Sequence, residues 1–381
     1  MARFENLGSV SEIDRYIYQN EDIYTWDREK IRDVQLRLIK DSFEYHYINC
    51  DDYRNYCKAL KTEPAMIENY DDLVKIPLIT SSVFKKKNVL STSENLIVKK
   101  CTSSGTQGVI SVVNRDEVTL NRFLGSVEET VDQMFHLDDS LFLNLGPSTD
   151  EAEDLWFSYV MSITDMIFPS LNFVVNDVFY PDRVIDSLMM FKDSYETLTI
   201  TGAPIMYIRL LEYMEKNDIT IEFGNKVFII TAGGWKKFSG EAISKDELYT
   251  KLKKSFIDLE ETSIRDVLNM VELNTIWPEC ESKIKHVPPW VKVIIRSPYD
   301  MTPLDNNEMG LISFLDPTST SYPSFILTSD FGKIVVEDEC ECGLKGTGIE
   351  IIRRVTKGQA RGCALKMDKN YSGPGVNKYD I

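Results

Sequence analysis

Two apolar runs, TLTITGAP (197–204) and KVFIITAGG (226–234), each run into glycine, and the helix-like stretch IMYIRLLEYMEK lies between them. Runs rich in β-branched residues without polar alternation suit strands covered on both faces, and a helix between two of them fits a parallel or mixed sheet. No other feature narrows the fold as much. The rhythm begins earlier: NLIVKKC and SLFLNLG read as strands, RDEVTLNRFLGSVEETVDQMF as a helix, and DLWFSYVMSITDMIF as one largely apolar helix. Upstream, roughly the first 90 residues read as mostly helical, with amphipathic turns such as VQLRLIKDSFEYHYI. Beyond residue 285 the pattern turns β-rich, in VKVIIRS, GLISFLD, SFILTSD and IEIIRRV. The expected fold class is therefore α/β, with mixed sheets and helices and a β-rich lobe.

Composition excludes several functions. The 381 residues carry a net charge of −17, which disfavours duplex nucleic acid and anionic membrane surfaces alike. No run approaches the roughly 20 apolar residues of a membrane span, and no early stretch has the pattern of a signal peptide. Seven cysteines in a chain this long do not suggest a disulfide framework, so the expected compartment is a reducing cytoplasm. His46 lies among aromatics and reads as structural, and His136 as a helix-end residue. Cys50, Cys57 and Cys101 receive no role, because buried thiols are common.

In open α/β sheets, ligands favour loops at the carboxyl ends of strands, and the Gly and Ser/Thr clusters fall there. TSSGTQG, 102–108, follows a candidate strand and offers unobstructed backbone amides plus hydroxyl donors, as a phosphate cradle requires. It lacks the Gly-Lys-Ser/Thr ending of a Walker loop, and by itself it also fits an ordinary turn.

The loop resembles the phosphate loop of adenylate-forming enzymes, the superfamily of acyl-CoA synthetases and phenylacetate-CoA ligase, and further segments follow in that family's order. ITAGGW resembles the strand-end glycine turn that faces adenine, RDVLNMVELN the segment ending in a magnesium-binding glutamate, ILTSD the segment whose aspartate holds the ribose hydroxyls, and EIIRR the hinge arginines. The resemblance implies that Thr102, Ser103, Ser104, Gly105, Thr106, Gly233, Gly234, Trp235, Asn269, Asp330, Arg353 and Arg354 bind ATP. It also implies that Glu272 holds Mg, and that Ala203 and Pro204 lie beside the acyl site. The chain departs from the pattern at Gln107, at Leu268 and Val271, and in lacking Pro-Lys after Gly108.

Longer phrases, among them SFEYHYINCDDYRNYC, KHVPPWV, STSYPSFILTSDFG and GCALKM, are similar to the acyl-protein synthetase family of the bacterial bioluminescence operon, part of a fatty acid reductase complex. That resemblance implies a fatty acid substrate, an acyl-adenylate and then a thioester on Cys363. An acyl reductase protein would be the partner, and Lys366 a candidate catalytic lysine. It also implies two parts: 1–350, an adenylate-forming domain with a helical lead-in, and 351–381, a short C-terminal remnant carrying the acceptor cysteine. An acyl-CoA ligase, an acyl-adenylate donor to a carrier protein and a nucleotide-binding subunit remain the alternatives. Finally, Cys280, His286, Cys340 and Cys342 resemble a set found in phenylacetate-CoA-ligase-like proteins, which suggests a structural Zn.

Overall fold

A computed structural model of the chain describes residues 11–19, 21–103, 110–233 and 244–354, with the backbone alone for Arg353 and Arg354. The expected parallel strands form a six-stranded sheet ordered Trp277–Pro278, Ile264–Leu268, Val227–Ala232, Thr197–Gly202, Ser140–Asn144, Ser170–Asn172. All neighbours are parallel except the short first strand. Ile229 sits in register with both Ile200 and Ile264. Leu141, Leu143, Leu198, Ile200, Ile229 and Ile264 share a core with the helices Pro181–Phe191, Pro204–Lys216 and Lys245–Ser255. Phe142, Ile230 and Val267 belong to the other core, with the helix Glu117–Phe135. Successive side chains of a strand point to opposite faces, so one apolar run serves both layers.

The β-rich segment folds as a second six-stranded sheet, ordered Lys285–His286, Gly348–Arg354, Phe325–Val336, Gly310–Leu315, Lys292–Arg296, with Ile79–Thr80 added in parallel to Phe325–Val336. The helix Arg28–Asn49 is capped by Asp27, whose carboxylate accepts from the Lys30 amide at 2.8 Å. It buries Ile31, Val34, Leu38, Ile39 and Phe43, while Gln35 Nε2 donates to the carbonyls of Pro289 and Val291. His46 bonds to Ser91 Oγ and the Ser319 carbonyl, and burial pushes its pKa down to about 3, so it stays neutral and structural. His136 ends its helix in the left-handed region, φ +51°.

One element differs from expectation. DLWFSYVMSITDMIF forms two helices, Trp156–Ser162 and Thr164–Ile167, rather than one. Ser162 Oγ donates back to the Tyr159 carbonyl and Thr164 Oγ1 to that of Met161, and such back-bonding competes with the helical ladder. The strand Gly348–Arg354 runs through residue 350, where the sequence suggested a domain boundary. Among the described residues no helix is long and apolar enough to cross a membrane.

Candidate active site and metal centre

At the carboxyl end of the strand Val227–Ala232, Gly233 adopts φ +86°, a region costly for any side chain. A Cβ there would lie 2.7 Å from Phe157 Cε2, so both backbone and packing require glycine. Gly234 and Trp235 lie outside the described residues. The strand Ile97–Thr102 pairs with Val112–Asp116 as a hairpin whose connection contains the Ser/Gly loop. The Thr102 amide and hydroxyl both donate to the Asp154 carbonyl, at 2.7 and 3.1 Å. The Ser103 amide donates to the Ser111 carbonyl, and Ser103 Oγ accepts from the Ser111 amide. Thr102 and Ser103 thus close the neck of the loop, while Ser104, Gly105 and Thr106 lie outside the described residues.

Glu272 is buried in the turn after the strand Ile264–Leu268. Its carbonyl accepts from Ser324 Oγ at 2.9 Å and Tyr322 Oη at 3.3 Å. Asn269 Oδ1 accepts from Trp156 Nε1 at 2.6 Å, and its amide nitrogen donates to the Thr275 carbonyl, so Asn269 holds this turn together. Asp330 lies within the strand Phe325–Val336, half-buried, with Arg354 as its backbone partner and Arg353 opposite Phe331. Cys363 and Lys366 lie outside the described residues, as do the side chains of Arg353 and Arg354. Sequence reasoning passed over Arg115, which joins the hairpin to the Glu272 turn. An arginine just after the largely apolar run 109–113 and next to the helix cap Asp116 was the available signal.

An apolar cavity of about 70 Å³ lies on the sheet face that carries Phe142, Thr201, Ile230, Ala232 and Val267. Phe135, Ile163, Ile167 and Phe168 complete its wall from the two helical segments. Thr201 Oγ1 is buried in this wall without a hydrogen-bond partner among the described residues. Ala232 immediately precedes Gly233, so the cavity and the glycine turn share one strand end. Ala203 and Pro204 start the helix after the strand Thr197–Gly202, and neither lines the cavity.

The four suspected metal ligands come together from two turns of the same shape. In one, the Cys280 amide donates to the Ile284 carbonyl and the Lys283 amide to that of Cys280, with Lys283 at φ +61°. In the other, the Cys340 amide donates to the Leu344 carbonyl and the Gly343 amide to that of Cys340, with Gly343 at φ +87°. His286 follows the first turn on the strand Lys285–His286, and Cys342 lies inside the second. All four ligand atoms lie within 4.8 Å of one another. Cys280 Sγ is 3.9 Å from Cys340 Sγ, and Cys342 Sγ is 3.6 Å from His286 Nε2. A tetrahedral ion with bonds of about 2.3 Å to sulfur and about 2.0 Å to nitrogen needs separations of about 3.7 and about 3.5 Å. The donor set therefore fits zinc. Burial pushes the Cys342 thiol up to about 12 and lowers His286 to about 4, so the imidazole is neutral and ready to ligate. Lys285 braces the centre against the sheet, its Nζ 2.6 Å from Asp266 Oδ2.

This architecture is that of the adenylate-forming ligases. A crystal structure of 2-hydroxyisobutyryl-CoA ligase with 2-HIB-AMP and CoA superposes with a TM-score of 0.65, covering 87% of this chain and 70% of that one at 12% identity. An open conformation of the same ligase gives a TM-score of 0.63, covering 84% of this chain and 68% of that one, again at 12% identity. Residues 2–372 match the family described as acyl-protein synthetase, LuxE, and the chain belongs to that family. It is 34% identical to the long-chain-fatty-acid–luciferin-component ligase of Vibrio harveyi, over 97% of this chain and 96% of the relative. The ligase of the same name from Aliivibrio fischeri is 35% identical, over 94% and 93%.

Proposed function

We propose that this protein activates a long-chain fatty acid with ATP and then carries the acyl group as a thioester on Cys363, for delivery to an acyl reductase. The apolar cavity beside Gly233 carries this reading: its wall offers almost nothing to a polar ligand, yet it adjoins the glycine turn that the sequence resemblance assigns to adenine. An alkyl tail seated there would leave its carboxylate at the strand ends. A carboxylate oxygen attacks the α-phosphorus of ATP while the bond to pyrophosphate breaks. The Cys363 thiolate then attacks the acyl carbon, and AMP leaves with the electron pair of the acyl C–O bond.

In this reading Thr102, Ser103 and the 104–106 backbone face the phosphates, Gly233, Gly234 and Trp235 the adenine, and Asp330 the ribose hydroxyls. Asn269 supports the same pocket, while Ala203 and Pro204 border the acyl end. Arg353 and Arg354 offset charge as pyrophosphate departs, and Lys366 serves the adenylation step. Magnesium takes one or two carboxylates and otherwise phosphate oxygens and water, so the buried Glu272 would hold it. When bound, that ion offsets phosphate charge. Zinc at Cys280, His286, Cys340 and Cys342 would be structural, because four protein ligands leave no open position. Residues 1–350 would form the adenylating body, and 351–381 the acyl-bearing segment.

ATP–pyrophosphate exchange over acids of increasing length tests adenylation, and labelled fatty acid tests the carrier step. Label retained on wild type and lost in Cys363→Ser supports the reading. Turnover that depends on coenzyme A would instead define an acyl-CoA ligase, and ATP binding without exchange for any acid a nucleotide-binding subunit.

A further inference from the structure

Arg115 is fully buried in the strand Val112–Asp116; its Nε and Nη2 are committed mainly to one short segment, while Nη1 is buried with no hydrogen-bond partner among the described residues. Nη2 donates to the Val271 carbonyl at 2.9 Å and reaches that of Leu273 at 3.4 Å, while Nε donates to Asn274 Oδ1 at 3.1 Å. The carbonyl between those two belongs to Glu272 and is held by Tyr322 and Ser324. Tyr322 Oη also accepts from Arg115 Nη2 at 3.2 Å, so one hydroxyl joins the guanidinium to the glutamate's backbone. The Trp156 ring lies 3.7 Å from the guanidinium, and Trp156 Nε1 holds Asn269 at the start of the same turn. Three consecutive carbonyls around Glu272 are therefore fixed, and Arg115 takes two of them.

Burying a guanidinium costs much of its hydration, so its retention in a buried hairpin strand asks for a geometric reason. A planar fork with five donors can serve two carbonyls, an amide oxygen and a phenol at once, which an ammonium cannot. The strand holding Arg115 also forms one side of the loop closed by Ser103 and Ser111. We propose that Arg115 is a positioning residue that fixes the Glu272 turn against the hairpin neck held by Ser103 and Ser111, and so sets where the Glu272 carboxylate would hold magnesium. The proposal rests on the reading of Glu272 as the magnesium carboxylate.

Calorimetric titration with ATP, with and without magnesium, measures how much the ion tightens binding and requires no turnover. A merely structural arginine would lower thermal stability and leave that ratio alone. Glu272→Gln is expected to abolish the magnesium enhancement. Arg115→Lys is expected to reduce it about tenfold with little change in magnesium-free binding, the scale of a hydrogen bond to a charged group. Tyr322→Phe leaves the guanidinium in place and removes the joining hydroxyl, so it is expected to lower the ratio about threefold and decides the matter if Arg115→Lys does not fold. Loss in Glu272→Gln with an unchanged ratio in Tyr322→Phe and in any folded Arg115→Lys overturns the role of Arg115 alone. An unchanged ratio in Glu272→Gln overturns the reading of Glu272 as well.

Discussion

Ala232→Leu tests where the acyl tail lies. Ala232 lines the cavity from the last position of its strand, facing the same space as Ile230 and Thr201. Leucine places about three further methylene equivalents in the cavity, space that the tail would otherwise take. Each methylene kept out of an apolar site costs about 0.8 kcal/mol, so a long chain loses about 2.4 kcal/mol, or about fiftyfold in kcat/KM. A short acid that never reaches the cavity should lose less than about threefold. ATP–pyrophosphate exchange with a homologous series of saturated acids reads the effect as a break in the length profile. Thr201→Val is the companion, since it preserves volume and removes a buried hydroxyl without a partner among the described residues. It should lower KM for long acids and stabilise the fold by about 1 kcal/mol. Equal losses for short and long acids in Ala232→Leu, with stability intact, would refute the placement of the tail.

Metal analysis of purified protein should find a single zinc per chain, and Cys342→Ser should lose it together with about 3 kcal/mol or more of stability in urea melts. Gly233→Ala forces a side chain into φ +86° against Phe157, and should raise KM for ATP about tenfold in exchange assays. Asp14 is held by Arg122, with Arg122 Nε 2.6 Å and Nη2 3.1 Å from its two oxygens. Burial pushes the Asp14 pKa up, but the Arg122 contacts outweigh it and leave it below 3.8. Its contribution is thus present above the unfolded value and fades as pH falls through the lower folded one. Asp14→Asn should cost about 2 kcal/mol at pH 7 in urea melts, and the deficit should shrink as pH falls through the lowered folded-state value.

The parallel sheet was legible because TLTITG and FIITA carry no charged residue and are rich in β-branched ones, and glycine marks each strand end. The cluster of Cys280, His286, Cys340 and Cys342 was legible through the resemblance that CESKIKH and CECG carry. That CESK and CECG take one turn geometry was not, because Lys283 occupies the left-handed position that glycine fills in the second turn. The break at Ile163 escaped notice because hydropathy is blind to hydroxyls bonding back onto their own helix. Arg115 escaped for a related reason: its partners are backbone carbonyls more than 150 positions away, and carbonyls leave no mark on a sequence. The cavity wall, gathered from Val127 to Ile276, belongs to tertiary packing rather than to any motif.

The pairing of Asp330 with Arg354 in the last strand sets a tether length. Cys363 follows Arg354 by nine residues, a reach of at most about 32 Å fully extended. Under the proposed function, a thiol tied this closely to the strand of Asp330 would meet the acyl-adenylate at an effective concentration of about millimolar. Lengthening the leash with Gly/Ser insertions should dilute that encounter gradually, whereas shortening it past the required span should abolish acylation and leave pyrophosphate exchange untouched.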